Sequence, residues 1–153
     1  MRFIFVIISM WVLSSCGPTV IYHHEEKVPA SWTYQDSLVF GFEVSDTSLA
    51  YDMWLYCDHQ STFPFENLYL QITTTFPDGS KTVSPLSLRL SDEKGDWQGK
   101  CSGQKCNIEI PISSRAYYKL PGLYHIVMHQ YSRQDSLHGI DAISIKISQS
   151  PPQ

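Results

Sequence analysis

Residues 38–44 read Leu-Val-Phe-Gly-Phe-Glu-Val, and an apolar side chain recurs at every second position from the first residue to the last. Successive side chains of an extended strand point to opposite faces, so this pattern is typical of a strand that buries one face. The stretch therefore predicts a β-strand packed on a core. Its apolar face would carry Leu38, Phe40, Phe42 and Val44.

The same two-residue period returns along the rest of the chain, and turn signals separate the alternating runs. Residues 77–80, Pro-Asp-Gly-Ser, predict a turn because proline presets one backbone dihedral and glycine accepts a positive one. Residues 113–120 are the one candidate for a helical turn. Roughly seven to nine short strands separated by turns predict an all-β fold, an antiparallel β-sandwich. The alternating runs lie at 51–57, 68–76, 83–90, 122–131 and 143–147, and a hairpin is expected from 97–100 and 107–112.

The first sixteen residues are typical of a bacterial lipoprotein signal. Arg2 precedes an apolar run over residues 3–13 that is 11 residues long, whereas a membrane-spanning helix needs about 20. The run ends in Leu13-Ser14-Ser15-Cys16. This tetrapeptide resembles the lipobox, in which an apolar residue and two small residues precede a cysteine that receives lipid. The alternative is an ordinary secreted protein that is cleaved near Ser15 and has an incidental cysteine.

These features predict four parts of the chain. Residues 1–15 would be a cleaved signal peptide, and residues 16–37 would hold the lipidated Cys16 and a tether. Residues 38–149 would form a single β-sandwich domain, and residues 150–153 a frayed C-terminus. Two or three acyl chains give lasting attachment where one chain binds only marginally, so the protein is expected to be anchored to a membrane.

The charge balance excludes one class of partner. Without Arg2 the chain has 10 basic and 15 acidic residues, which gives a formal net charge of −5. Nucleic acid is not an expected partner, because binding to a phosphate backbone depends on an excess of basic residues. Anionic lipid head groups would mildly repel an acidic surface, so the acyl anchor is expected to hold the protein without electrostatic help.

Three cysteines follow Cys16 in the chain. Cys101 and Cys106 are separated by Ser-Gly-Gln-Lys, a turn that would bring two strand ends face to face. A disulfide between them is plausible at this spacing outside the cytosol, and two free thiols are the alternative. Cys57 lies in an alternating apolar run, where it is most simply a buried small hydrophobic residue.

Catalytic and metal-binding patterns find no support in the sequence. No G-x-S-x-G elbow and no phosphate-cradling glycine loop is present. His23 and His24 are adjacent, so a strand would point them to opposite sides. His125 and His129 would lie about 13 Å apart on one strand face, too far to share a metal ion. No cofactor, no metal and no small-molecule substrate is expected.

Aromatic side chains are the remaining candidates for a binding site. Trp54, Tyr56 and Tyr69 lie off the main apolar stripe of their strands. Such rings could stack on sugars, but strands that are buried on both faces, or an aromatic patch at a protein interface, explain the same pattern. The sequence leaves these alternatives open.

Several segments together resemble the GldH family, the gliding-motility lipoproteins of Bacteroidetes. The resemblance covers most of residues 30–147 and depends on the order and spacing of its pieces, because no single piece is diagnostic. The Cys101–Cys106 pair departs from the family pattern. The matching pieces are the lipobox at 13–16, Trp-Thr-Tyr-Gln-Asp-Ser at 32–37 with Phe-Gly-Phe at 40–42, Phe-Pro-Phe-Glu-Asn-Leu-Tyr-Leu at 63–70, Phe-Pro-Asp-Gly at 76–79, Asp-Trp-Gln-Gly-Lys at 96–100, and Leu-His-Gly-Ile at 137–140.

The resemblance implies a small lipoprotein of the gliding machinery, without enzymatic activity, and it carries over one site, the lipidated Cys16. We expect a scaffold that binds other gliding or envelope proteins through its aromatic strands or through Phe63 and Phe65 of the Phe-Pro-Phe loop. The alternatives are a glycan-binding envelope lipoprotein and, with no support from any motif, an enzyme of the cell wall. Surface-exported lipoproteins of this phylum often carry acidic residues directly after the cysteine. Residues 17–20 have none, which favours a periplasm-facing location.

Overall fold

The computed structural model describes residues 17–152, so the predicted signal peptide, Cys16 and Gln153 lie outside the described residues. Every regular element in this range is a β-strand, and the range contains no helix long and apolar enough to cross a membrane. The strands are β1 (Val20–Lys27), β2 (Trp32–Thr33), β3 (Ser37–Val44), β4 (Tyr51–Gln60), β5 (Asn67–Thr75), β6 (Lys81–Arg89), β7 (Lys100–Ser102), β8 (Lys105–Ala116), β9 (Gly122–Gln130), β10 (Ser136–Leu137) and β11 (Ile140–Gln149).

Two antiparallel sheets enclose the core. The first has the strand order β1-β11-β4-β8-β7, and the second has the order β3-β9-β5-β6. The short pair β2 and β10 lies apart from both. The alternation of residues 38–44 is reproduced residue by residue, since the four apolar side chains are buried and the three between them are exposed. The predicted all-β, antiparallel sandwich is therefore confirmed.

The core is built where the apolar faces of the two sheets meet. The first sheet contributes Leu55 of β4 and the isoleucines of β11, and the second contributes Phe40 and Leu70. Each of these side chains is at most 1% exposed. Burial of a side chain of this size contributes about 1.5–3 kcal/mol, which makes this interface the main source of stability. These isoleucines of β11 are Ile143, Ile145 and Ile147; the fourth, Ile140 at the start of the strand, is also buried and is 3% exposed.

Two local predictions differ from the structure. Part of the predicted tether, residues 20–27, forms β1 and pairs with β11 along most of its length. The sequence gives no apolar alternation there because β1 is an edge strand, and most of its side chains are exposed or half-buried. The helical turn predicted at 113–120 is also wrong, because β8 continues to Ala116 and pairs with Tyr51 of β4.

The strands run between two ends of the sandwich. We call one end the anchor pole: it holds Gly17–Thr19, where the described chain begins, and the loops at 45–50, 76–80 and 117–121. Thr19 accepts a hydrogen bond from the Gln149 backbone at the end of β11. We call the other end the distal pole: it holds the loops at 61–66, 90–99 and 131–135. The ten residues of β4 join the two poles, a span of about 30 Å.

Candidate functional site

The Phe-Pro-Phe loop at the distal pole forms one wall of an open hollow. Phe63 is buried and packs edge-to-face on Phe65, with ring centroids 5.6 Å apart. Phe65 itself is 37% exposed. The opposite wall comes from the segment that follows β9. We call this feature the distal hollow; its floor is Phe63, Leu68 and Leu137, and its rim is Phe65, Tyr69, Tyr131 and Arg133.

Contacts from distant parts of the chain fix the loop at 61–66. The indole of Trp97 donates a hydrogen bond to the Ser61 carbonyl at 3.1 Å and lies edge-to-face against the buried ring of His59 at 4.6 Å. Gly139 has a φ of 94° and lies against Phe63, where an added Cβ would sit 3.4 Å from the phenyl ring. A side chain there would be strained by the positive φ, although its Cβ would fit in ordinary contact with Phe63. The loop is therefore positioned by packing against other segments.

A buried amide fixes the other wall. Gln130, the last residue of β9, is 1% exposed. Its side-chain oxygen Oε1 accepts hydrogen bonds from the backbone amide and the hydroxyl of Ser132 at 2.9 and 2.7 Å, and its Nε2 donates to the Gln134 carbonyl at 3.0 Å. The Tyr34 hydroxyl also donates to the Ser132 carbonyl, at 2.8 Å. These bonds hold the turn that carries Tyr131 and Arg133 on the rim.

The distal hollow combines exposed rings with polar groups. Tyr69 is 46% exposed and Tyr131 is 56% exposed, and their backbones are joined because the Tyr131 amide donates to the Tyr69 carbonyl at 2.8 Å. Glu66 and Arg133 add charges of both signs. Aromatic rings, together with arginine, are the side chains that most often anchor protein interfaces. The arrangement is suited to binding a partner.

Trp54 and Tyr56 occupy a different surface. Both project from β4 to the outer face of the first sheet, where each is half-buried. Tyr56 donates a hydrogen bond to a carboxylate oxygen of Glu109 at 2.6 Å, and its ring lies 6.1 Å from that of His23. Burial, together with this carboxylate, raises the pKa of Tyr56 to about 12. Tyr56 therefore holds its proton at physiological pH and serves as a hydrogen-bond donor on this face.

The cysteines take two positions. Cys101 and Cys106 are directly opposed in the β7–β8 hairpin and form a disulfide. Cys57 is fully buried on the inner face of β4, as predicted, and burial raises its pKa to about 12. A thiol in that state is unreactive.

The histidines lie apart from one another. His24 Nε2 is 3.0 Å from Glu26, while His23 points to the other face of β1. His125 and His129 lie on the outer face of the second sheet. Residues 17–152 contain no group of three or more His, Cys, Asp or Glu side chains placed to hold a metal ion.

The structure thus brings together three of the five residues that the sequence offered for partner binding, Phe63, Phe65 and Tyr69, and separates Trp54 and Tyr56 from them. Sequence reasoning missed Tyr131 and Arg133. The register that pairs Leu70 with Gln130 places Tyr131 beside Tyr69. No local signal carries that information, because the two strands are 60 residues apart in sequence.

Comparison with known proteins places the chain. It is 25% identical over 156 residues to a protein from Christiangramia forsetii named gliding motility lipoprotein GldH homolog, with 97% of this chain and 93% of that protein covered. It is 22% identical over 145 residues to the gliding motility lipoprotein GldH of Flavobacterium johnsoniae, with 90% of each covered. A solved structure of an uncharacterized Listeria monocytogenes protein gives a TM-score of 0.34 at 13% identity, covering 84% of this chain and 11% of that one.

A sequence model of the GldH lipoprotein family matches residues 20–147, which span β1 to β11 and so include both sheets and the distal hollow. The chain accordingly belongs to the GldH lipoprotein family, a family of the gliding-motility context in the bacterial cell envelope.

Proposed function

We propose that this lipoprotein is a non-catalytic scaffold that binds another protein of the gliding machinery at the distal hollow. Cys16, directly before the described chain, would carry the lipid, and the protein would face the periplasm. A tether restricts the bound partner to a thin layer at the membrane and raises its effective concentration there. The role requires a binding surface away from the membrane and no reacting groups.

One observation carries this proposal, the placement of the distal hollow opposite the anchor pole. The chain enters the sandwich at Gly17–Thr19, beside the end of β11, and Phe63 follows the far end of β4. The sandwich would therefore act as a spacer of about 30 Å between the lipid and the exposed rings of the hollow. A partner protein could reach Phe65 and Tyr131 without displacing lipid head groups.

Crosslinking in the native bacterium tests the partner site. A photoreactive phenylalanine analogue at position 65 is expected to crosslink a defined envelope protein. The same analogue at Leu123, which is 49% exposed on the outer face of β9, is the matched control.

Truncation of a central aromatic anchor commonly costs about 2 kcal/mol or more of binding free energy, a factor of roughly 30. Phe65→Ala and Tyr131→Ala should therefore abolish spreading motility, whereas Leu123→Ala should not. Equal crosslinking from positions 65 and 123 would count against the proposal.

The anchor has its own test. Cys16→Ala should move the protein from the membrane fraction to the soluble fraction. The intact mass of the wild-type protein should show cleavage before Cys16 and added acyl chains. A Cys16→Ala protein that still sediments with membranes would contradict the proposed anchor.

Glycan binding is a second candidate function. Among the surfaces of the domain, the distal hollow has the composition best suited to it. Tyr69 and Tyr131 offer exposed rings for stacking, and Asn67, Arg133 and Gln134 offer hydrogen-bonding groups beside them. Binding to a polysaccharide array that is lost in Tyr131→Ala but kept in Trp54→Ala would support this candidate, because Trp54 lies on the other sheet. A crosslinked protein partner without any glycan binding would exclude it.

A further inference from the structure

An apolar cavity of about 220 Å³ lies between the two sheets, toward the anchor pole and away from the distal hollow. The first sheet lines it with Leu55 and Ile145, and the second with Tyr124 and Met128, all of which are buried. The polar groups of the lining side chains are the hydroxyls of Thr74, Ser84, Tyr118 and Tyr124, and the Tyr124 hydroxyl already donates to the Leu120 carbonyl. The lining is therefore mainly hydrocarbon and aromatic.

Water is a poor occupant of such a space. Protein interiors are normally close-packed, and an apolar cavity of about 150 Å³ stays dry and binds benzene. Among the described residues, the buried side-chain atoms without a hydrogen-bond partner are His59 Nε2 and Ser91 Oγ, and neither residue lines the cavity. A water molecule there would find few partners, whereas an apolar ligand would restore the missing packing contacts.

The cavity opens on one side of the sandwich. At the opposite side the edges β1 and β3 close together, with the Tyr22 ring 5.9 Å from Phe42. On the open side, β6 and β8 face each other. Of the residues on these two strands that line the cavity, Ser84 is exposed, and Leu86 and Ile112 are half-buried. A flexible chain can therefore reach the interior between β6 and β8.

The strands at this opening are basic, although the chain as a whole is acidic. β6, β7 and β8 carry five basic residues against Glu109, whereas β1 and β3 carry Lys27 against three acidic residues. Lys81 and Arg115 lie at the anchor-pole ends of β6 and β8, each three residues, about 10 Å, along the strand from Ser84 or Ile112. The Arg115 guanidinium donates to the Pro151 carbonyl, and the other three basic residues lie toward the distal pole, so Lys81 is the basic side chain nearest the opening. The five basic residues are Lys81, Arg89, Lys100, Lys105 and Arg115.

From the apolar lining, the opening and the lysine beside it, we infer that this cavity binds the alkyl chain of an anionic amphiphile, with the negative head group outside near Lys81. A membrane lipoprotein has such molecules within reach, as free fatty acids or as anionic lipids. The site is separate from the distal hollow, so this inference does not depend on the proposed scaffold role.

Binding of laurate to the mature lipoprotein tests the inference. The protein is kept in a steroid-based detergent, which has no alkyl chain to compete, and laurate is compared with dodecyltrimethylammonium. Laurate should bind, and the cationic amphiphile should bind at least tenfold more weakly. Ile112→Trp and the milder Thr74→Leu both fill the cavity and should each weaken laurate binding at least tenfold. Val83→Trp changes the outer face of β6, where Val83 is 62% exposed, and should leave the affinity within twofold.

Equal laurate affinity in wild type, Ile112→Trp and Thr74→Leu would overturn the inference, as would equal binding of the cationic amphiphile. Organic extraction of protein purified from its own membranes, followed by mass spectrometry, identifies the natural source. A released fatty acid or a released anionic lipid would each support the site. Laurate that binds to Cys16→Ser but not to the acylated protein would show that the uncharged acyl chain on Cys16 fills the cavity, and would overturn the inference.

Discussion

The turns of the anchor pole and the Phe-Pro-Phe loop of the distal pole are held by different kinds of bonds. At the anchor pole, bonds between residues close in sequence hold the connecting loops: Ser48 donates to Asp46, Ser80 donates to Asp78, and the Tyr124 hydroxyl donates to the Leu120 carbonyl. One long-range bond is added where the Ser150 amide donates to the Ala50 carbonyl. At the distal pole, loop 61–66 depends on partners far away in sequence. The Ser61 amide donates to the Gln104 carbonyl, and the Leu90 amide donates to the Glu66 carbonyl.

The conformation of the anchor-pole turns is determined mainly by their own residues. The conformation of loop 61–66 depends on contacts with other loops. A turn closed by an aspartate two residues away forms wherever the chain reverses. The distal hollow forms only when the strands that bring its walls together are correctly paired. Binding residues are often carried by loops that a rigid scaffold positions, and the distal pole has this construction. We therefore expect substitutions in the turns of the anchor pole to have little effect on the proposed partner site.

Phe63→Ala should have the largest effect, because it removes a buried ring from the floor of the distal hollow. Substitution of a buried phenylalanine by alanine typically costs about 3–5 kcal/mol. We expect a loss of this size in the free energy of unfolding, measured by urea denaturation, together with loss of partner binding.

The neighbouring Phe65→Ala is the matched control, since Phe65 is 37% exposed. Its loss of stability should be about 1 kcal/mol, the value of one aromatic contact, while partner binding is lost to the same extent. Equal stability losses for Phe63→Ala and Phe65→Ala would show that the floor and the rim of the hollow are not distinct.

Gln130→Leu should come next. The substitution removes three hydrogen bonds that hold the turn after β9, and each such bond contributes about 1 kcal/mol net. We expect a loss of about 2–3 kcal/mol and faster amide hydrogen exchange at Ser132, with no change in exchange at the anchor-pole turn around Ser80. Uniform acceleration at both poles would mean that Gln130 supports the whole fold and not the hollow in particular.

Replacement of both Cys101 and Cys106 by serine should cost slightly less. The two residues close a short loop, five positions apart in sequence, and the loop-entropy relation gives about 2 kcal/mol for a crosslink of this length. The loss should be confined to β7 and the neighbouring distal loops. Thermal unfolding of the variant and of the reduced wild-type protein should agree; if reduction has no effect on the melting temperature, the crosslink does not stabilise the fold.

The sequence is sufficient to predict those strands that have one face in the core and the other face in solvent. β3 and β4 alternate between core and surface at almost every residue, so their period is visible in the sequence. β1 was not recognised because an edge strand has partners on one side and leaves most of its side chains near water. The end of β8 was mistaken for a helical turn because a free edge lacks a strict period there.

The candidate site was only partly visible in the sequence. Phe63 and Phe65 stood out because two aromatic residues flank a proline within three positions. Tyr131 and Arg133 lie on the rim only through the pairing of β5 with β9, which is a long-range event. Trp54 and Tyr56 resembled Tyr69 in their position off an apolar stripe, but membership of one sheet or the other depends on topology and not on local pattern.

The smallest effect on stability should come from substituting the aspartates of the anchor pole. Their contribution can be recognised because it depends on pH. Hydrogen bonds from serine or the backbone lower the pKa of Asp46, Asp52 and Asp78 below the ordinary range, and the pKa of Asp36 near the distal pole is lowered in the same way by Thr33. A carboxyl whose pKa is lower in the folded state contributes stability above its unfolded pKa of about 4. That contribution is lost as the pH falls through the folded pKa.

The triple variant in which Asp46, Asp52 and Asp78 become asparagine should therefore lose less stability than wild type between pH 5 and pH 2, with urea midpoints measured across that range. Asp36→Asn should reduce the fall of the urea midpoint between pH 5 and pH 2 by a smaller amount, because it removes one carboxyl with a lowered pKa and the triple variant removes three. Gln130→Leu should leave the slope unchanged, because an amide does not titrate. If Asp36→Asn reduces the loss of stability between pH 5 and pH 2 as much as the triple variant does, the acid sensitivity of this protein is not concentrated at the anchor pole.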